Sequence, residues 1–105
     1  MLLNEKKREC LNLVKASNRK LNVVRGSGAE SVNHYEMKKL LCGFLKKSGK
    51  DFVTEAKFVS GGRADILVLD DFRVIEIVYT ESEASLLEKN GKYPEGLKIE
   101  VVKCY

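Results

Sequence analysis

Two short apolar runs, Ile66-Leu67-Val68-Leu69 and Val74-Ile75 continuing into Ile77-Val78-Tyr79, stand on either side of the turn Asp70-Asp71-Phe72. Runs of this length predict strands at 64 to 69 and 73 to 79, and so short a turn makes them antiparallel neighbours. Each strand also carries one acid where apolar residues belong, Asp65 in the first and Glu76 in the second. A buried carboxylate is costly unless it is paired, protonated or bound to a metal, so these two positions need a reason.

The rest of the chain supplies the elements around that hairpin. Leu3, Lys7, Cys10, Leu11 and Val14 recur at helical spacing, which predicts a first helix over 3 to 17 docking through a narrow apolar stripe. Gly26-Ser27-Gly28 breaks the chain, and Ser27 with Glu30 has the spacing of a capping box. A second helix over 28 to 48 should follow, with Met37, Leu40, Leu41, Phe44 and Leu45 on its buried face and Ser48-Gly49 as its stop. The period then drops to two, adding a strand at 52 to 58 joined to the hairpin through Val59-Ser60-Gly61-Gly62. A further capping box, Thr80 to Glu83, opens a short helix that ends near Asn90-Gly91, and a last strand runs from Leu97 to Cys104. The intervening segment is long enough for a right-handed crossover, so this last strand should lie parallel to the third.

A chain of 105 residues with 44% apolar and 32% charged content makes one folded domain with a modest core, not a disordered chain. Residues 1 to 26 read as a basic helical arm and 27 to 105 as the α/β domain. The net charge is +4, and the arm carries Lys6, Lys7, Arg8, Lys15, Arg19, Lys20 and Arg25 against Glu5 and Glu9. Such an arm attracts phosphate backbones by counterion release, although a solvated helix face has the same composition. No apolar run spans a bilayer, and Met1-Leu2-Leu3 meets Asn4-Glu5-Lys6-Lys7-Arg8 at once, so no membrane partner and a cytoplasmic location are expected. Cys10, Cys42 and Cys104 are widely spaced and odd in number, which reads as reduced thiols, with Cys42 partly buried.

Strand alternation groups Val74, Glu76 and Val78 on one side against Ile75, Ile77 and Tyr79, and Val53, Glu55 and Lys57 against Phe52, Thr54, Ala56 and Phe58. If Glu55, Asp65 and Glu76 share a face, three carboxylates converge, and their repulsion raises their pKa values or recruits a cation. Mg²⁺ or Mn²⁺ suits an oxygen-only site. On the main helix Glu30, His34 and Lys38 are spaced i, i+4, i+8 and project towards the sheet, while Glu36 projects away. The plainer alternatives are a structural role for His34 and a cross-strand ion pair of Glu55 with Arg63 or Lys57.

Taken together, Glu30-Ser31-Val32-Asn33-His34 with Lys38, Thr54-Glu55-Ala56, Gly62-Arg63-Ala64-Asp65 and Val74-Ile75-Glu76-Ile77 resemble the PD-(D/E)XK nuclease superfamily. Within it they are most similar to the nuclease-like domain of competence CoiA-type proteins and small archaeal relatives, over about residues 27 to 105. The resemblance implies a restriction endonuclease-like αβββαβ core with a mixed four-stranded sheet, here preceded by an extra N-terminal helix. It implies a DNA-binding, metal-dependent phosphodiesterase, and DNA rather than RNA is the expected nucleic-acid partner. Asp65, Glu76 and Glu55 would hold Mg²⁺ or Mn²⁺, and His34 and Lys38 would orient water or phosphate. A homodimer suits so small a domain. One position departs: Val78 stands where the superfamily has lysine, or glutamine in CoiA-like members, and valine cannot stabilise charge on a phosphate. Lys38 or Lys57 is the candidate substitute. Without one, the alternative is a catalytically degenerate domain that only binds nucleic acid or a protein partner.

Overall fold

Past Gly49 the chain builds a sheet whose first three strands are largely buried on both faces. A computed structural model describes residues 3–28, 30–78 and 93–103. Helix α1 (Glu5–Leu11) is followed by a 3-10 turn at Ala16–Asn18, helix α2 (Val32–Lys47), and strands β1 (Phe52–Lys57), β2 (Arg63–Val68), β3 (Arg73–Val78) and β4 (Lys98–Lys103). The strands form one sheet in the order β1-β2-β3-β4. The first three make the expected antiparallel meander, and β4 pairs parallel to β3 from Arg73↔Lys98 to Val78↔Lys103. The predicted crossover helix, Tyr79 and Cys104 lie outside the described residues. Among those described, no helix is long and apolar enough to cross a membrane.

The sheet has an apolar cluster on each face. One gathers Cys10, Val14, Val53, Ala56, Phe58, Ala64, Leu67, Leu69 and Val74; the other joins Cys42 and Leu45 of α2 to Phe52, Ile66, Val68, Ile75 and Ile77. Burial raises the thiols of Cys10 and Cys42 to about 12 and about 11, so both stay protonated and inert at neutral pH. Cys42 is fully buried rather than partly so.

The N-terminal segment is more than the weakly docked helix its narrow stripe predicts. Helix α1 is only seven residues long, capped by Asn4, and the chain beyond it runs along the outer edge of β1. Lys15 donates to Lys57 O at 2.8 Å, Val59 to Leu13 O at 2.8 Å, and Asn22 to Phe52 O at 2.8 Å. Side chains complete the edge: Asn22 Oδ1 accepts from Phe52 N, Asn18 Oδ1 accepts from Lys57 N, and Thr54 Oγ1 donates to Val23 O. An open strand edge invites pairing with another chain, and this segment closes it while placing Cys10 and Val14 in the core. Asn22 makes the turn at φ +59°, a conformation asparagine tolerates better than most residues.

Helix α2 begins four residues later than predicted. Ser31, not Ser27, is its N-cap and accepts from His34 N. The Ser27–Glu30 box forms only in half: Glu30 Oε1 accepts from Ser27 N, while Ser27 O, not its hydroxyl, accepts from Glu30 N. Of the five residues assigned to the buried face, Leu45 is buried and Met37 and Leu41 partly so, but Leu40 and Phe44 are exposed. The core side instead takes Cys42 and Lys38.

Candidate functional site

The β2–β3 ladder runs from Val68↔Arg73 through Leu67↔Val74 to Ile66↔Ile75 and stops there. The next residue on each strand is one of the two acids, Asp65 on β2 and Glu76 on β3. Once the ladder opens, the backbone of β3 needs other partners, because a buried N–H or C=O without one costs about 1–3 kcal/mol. Asp65 Oδ2 accepts from Ile77 N at 2.8 Å, and His34 Nε2 donates to Ile77 O at 3.0 Å. The two side chains also meet each other, His34 Nε2 lying 3.3 Å from Asp65 Oδ2. Side chains from β2 and α2 thus replace the missing ladder.

A second disturbance sits beside the first. In the β1–β2 register the pairs Thr54↔Ile66 and Ala56↔Ala64 are made while Glu55 and Asp65, between them, are not. Glu55 has φ +50°, a left-handed conformation rarely taken by a residue with a long side chain. Its effect is to reverse the alternation: Val53 packs in the same cluster as Ala56 and Phe58, instead of opposite them as predicted. Ala64 likewise joins Leu67 and Leu69 across the same break. The Glu55 side chain is thereby turned to the α2 face, where Lys38 Nζ approaches Glu55 Oε1 at 3.6 Å.

Lys38 is the centre of this face. It is wholly buried, and its ammonium donates to Glu30 Oε2 at 2.8 Å and to Arg25 O at 2.7 Å. Glu30 also receives His34 Nδ1, so both ring nitrogens of His34 face oxygen acceptors, a pattern complete when both carry hydrogen. The i, i+4, i+8 line of Glu30, His34 and Lys38 is therefore present as read, although Glu30 precedes the helix. Burial pushes the Glu30 carboxyl up, but Lys38, His34 and the Ser27 N–H together outweigh it and hold it below its ordinary value. Glu55 goes the other way. Burial raises it, reinforced by Asp65 and Glu30, and Lys38 and Arg63 only partly compensate. Its Oε2 is buried and has no hydrogen-bond partner among the described residues.

The three acids do not form one face. Glu76 shares its side of β3 with Val74, in the α1-side cluster, and accepts a hydrogen bond from Tyr93, which packs on that cluster with its ring edge-on to Phe58. Glu55 departs because of its positive φ, and Asp65 lies between the parted strands. Among the described residues no three His, Cys, Asp or Glu side chains come together as a ready ligand set. Val78 is buried, as its place beside Glu76 implies; Lys57 is exposed. The partner of Glu55 is Lys38, not the cross-strand Arg63 or Lys57. What the sequence reading missed is Tyr93 and the backbone of Ile77, the first for want of any periodic signal and the second because a main-chain group leaves none.

No family model, no curated protein and no solved structure matches this chain.

Proposed function

We propose that this is a nucleic-acid-binding domain that hydrolyses phosphodiesters with a divalent cation, on the restriction endonuclease-like plan of the PD-(D/E)XK superfamily. The observation that carries the proposal is the opening of the β2–β3 ladder at the Asp65 and Glu76 positions. Two strands part where each carries a carboxylate, so that side chains rather than a backbone ladder hold the end of β3 and carboxylate oxygens of the kind hard cations take lie at the opening. Glu55 Oε2, without a hydrogen-bond partner among the described residues, adds an oxygen donor on the neighbouring strand, and oxygen-only donors suit Mg²⁺ or Mn²⁺. Asp65 and Glu55, which both meet side chains of α2, would hold the ion, which would supply charge for a developing phosphate anion and lower the pKa of bound water; Glu76, bonded to Tyr93 on the α1 side of β3, would join them only by turning away from that partner. The chain's own groups do the positioning. His34 fixes the carboxylate of Asp65 and the end of β3, and Lys38 lowers the cost of collecting acids around α2.

A second reading, a domain on this plan that binds nucleic acid or a protein partner without cutting, is favoured by Val78 and by the engagement of Lys38. The ammonium of Lys38 is committed to Glu30, Arg25 O and Glu55, and Lys57 faces solvent. Loss of one transition-state donor costs about 3–4 kcal/mol, a factor of 10² to 10³ in rate. Nicking of supercoiled plasmid in Mn²⁺ and in Mg²⁺, compared between the wild type and Asp65→Asn, decides between the readings. Cleavage that Asp65→Asn abolishes supports the first. Absence of wild-type cleavage on duplex, single-stranded and branched DNA and on RNA leaves only the second.

The N-terminal cations are the proposed phosphate contacts under either reading. Lys7 is engaged with Asp51 and Asp70 at 2.9 and 3.2 Å, whereas Lys6, Arg8, Lys15 and Lys20 are exposed. Truncation would remove Cys10 and Val14 from the core, so substitution of those four cations by glutamine is the cleaner change. It should weaken DNA binding and flatten its salt dependence.

A further inference from the structure

The outward face of α2 carries two large apolar side chains that the fold leaves in solvent: Leu40 is 54% and Phe44 58% exposed. They line a shallow groove with Glu36, Lys39, Gly43 and Lys47. These six positions fall in pairs at equal distances from the point midway between Leu41 and Cys42, namely 40 with 43, 39 with 44, and 36 with 47. When two copies of one helix pack antiparallel about a two-fold axis through that point, each residue meets its pair mate on the other copy. The pair mates differ in the way such a contact requires. Leu40, the bulky member, faces Gly43, which has no side chain and nothing within 4 Å of where a Cβ would stand. Phe44 faces Lys39, whose aliphatic stem covers an aromatic ring and whose ammonium is attracted to its face. Glu36 faces Lys47 at the rim, so each end of the contact holds one acid and one base.

We infer that α2 is a homodimerisation helix, pairing antiparallel with α2 of a second copy of this chain. Opposite charges and a large residue against a small one fit a second copy without any further partner. A parallel arrangement would set Glu36 beside Glu36 and Lys47 beside Lys47, and lose the fit of Leu40 on Gly43. The contact is one helix wide and therefore small, so association on the order of 10–1000 µM is expected.

Sedimentation equilibrium of the full chain over that concentration range tests the inference. The wild type should show a reversible monomer–dimer equilibrium, and Phe44→Glu should abolish it while leaving the far-ultraviolet circular dichroism unchanged, since the side chain is exposed. Glu36→Lys alone and Lys47→Glu alone should each weaken dimerisation about tenfold, by turning two attractive rim pairs into repulsive ones. Mixing the two variants in equal amounts should recover association as a heterodimer, because every rim pair is then again of opposite charge. A wild type that remains monomeric at millimolar concentration overturns the proposal and leaves this face to a different protein. So does a dimer that survives Phe44→Glu, or a mixture of the two charge variants that associates no better than either alone.

Discussion

The two ends of the β2–β3 hairpin hold the same strands together by different means. At the closed end, next to the Asp70–Phe72 turn, backbone pairs from Val68↔Arg73 to Ile66↔Ile75 form the ladder, and Ile66, Leu67, Val68, Val74 and Ile75 are buried on both faces. At the open end the N–H and C=O of Ile77 are taken by Asp65 and His34, which lean in turn on Glu30 and Lys38. A ladder between backbones depends on neither pH nor residue type. A closure built from ionisable side chains depends on both. The difference shows why the costly residues lie where they do. Buried charges occur at both ends, but Asp51 at the closed end is held by Lys7 and Asn22 near the surface, whereas Lys38, Glu30 and Glu55 at the open end are interlocked around one fully buried ammonium.

The largest effect should come from removing Lys38, the one buried cation among the described residues of the open end. Lys38→Met leaves Glu30 and Glu55 buried without their lysine and should destabilise the protein by about 3–5 kcal/mol, measured by urea denaturation. The loss should shrink in acid as the stranded carboxylates protonate. A change below about 1 kcal/mol at neutral pH would mean that the two ends are not as different as their bonding indicates.

The next largest effect concerns chemistry rather than folding. Val78→Lys adds an ammonium on the face of β3 that carries Glu76, and under the nuclease reading it should raise metal-dependent cleavage up to about a hundredfold in a single-turnover plasmid assay. If Lys38 already serves that role, the gain is nil and Lys38→Met is inactive even where it remains folded.

Asp65→Ala should cost about 1–3 kcal/mol in stability, because the N–H of Ile77 loses its acceptor. Hydrogen exchange sharpens the comparison: protection should fall at Ile77 and stay near wild type at Ile75, on the laddered side. Uniform loss of protection along β3 would show a hairpin that opens as one unit.

The smallest effects are those of pH. The carboxyl of Asp51 is lowered by Asn22 and Lys7 against a smaller push from burial, that of Asp71 by Lys50 and Arg73 despite burial, and that of Glu30 by Lys38, His34 and Ser27 in excess of burial. These groups bind protons less readily folded than unfolded, so their contribution is complete above the ordinary carboxylate range and is lost as pH falls through the lowered values. Glu55, raised by burial, has the opposite sign: stability declines as pH rises from the ordinary value through the raised one. Glu55→Gln should therefore stabilise the protein at neutral pH and have little effect in acid. A variant less stable than wild type at neutral pH would assign the Glu55 carboxylate a partner that outweighs its burial.

The sequence by itself determined the succession of the described helices and strands, the antiparallel meander, the parallel fourth strand, the inward line of Glu30, His34 and Lys38, and the odd standing of Asp65 and Glu76. These follow from period, loop length and the cost of burying charge, all of which act locally or between neighbours in the chain. The tertiary structure alone decided three things. Glu55 turned to the α2 face because one residue at φ +50° reverses a strand's alternation, and no side-chain pattern announces a left-handed residue that is neither glycine nor asparagine. The N-terminal segment became the edge partner of β1 because its bonds come mostly from backbone groups, which every sequence carries alike. Leu40 and Phe44 lie outside because helical spacing marks a broad apolar face, and only the position of the sheet selects which part of it is covered.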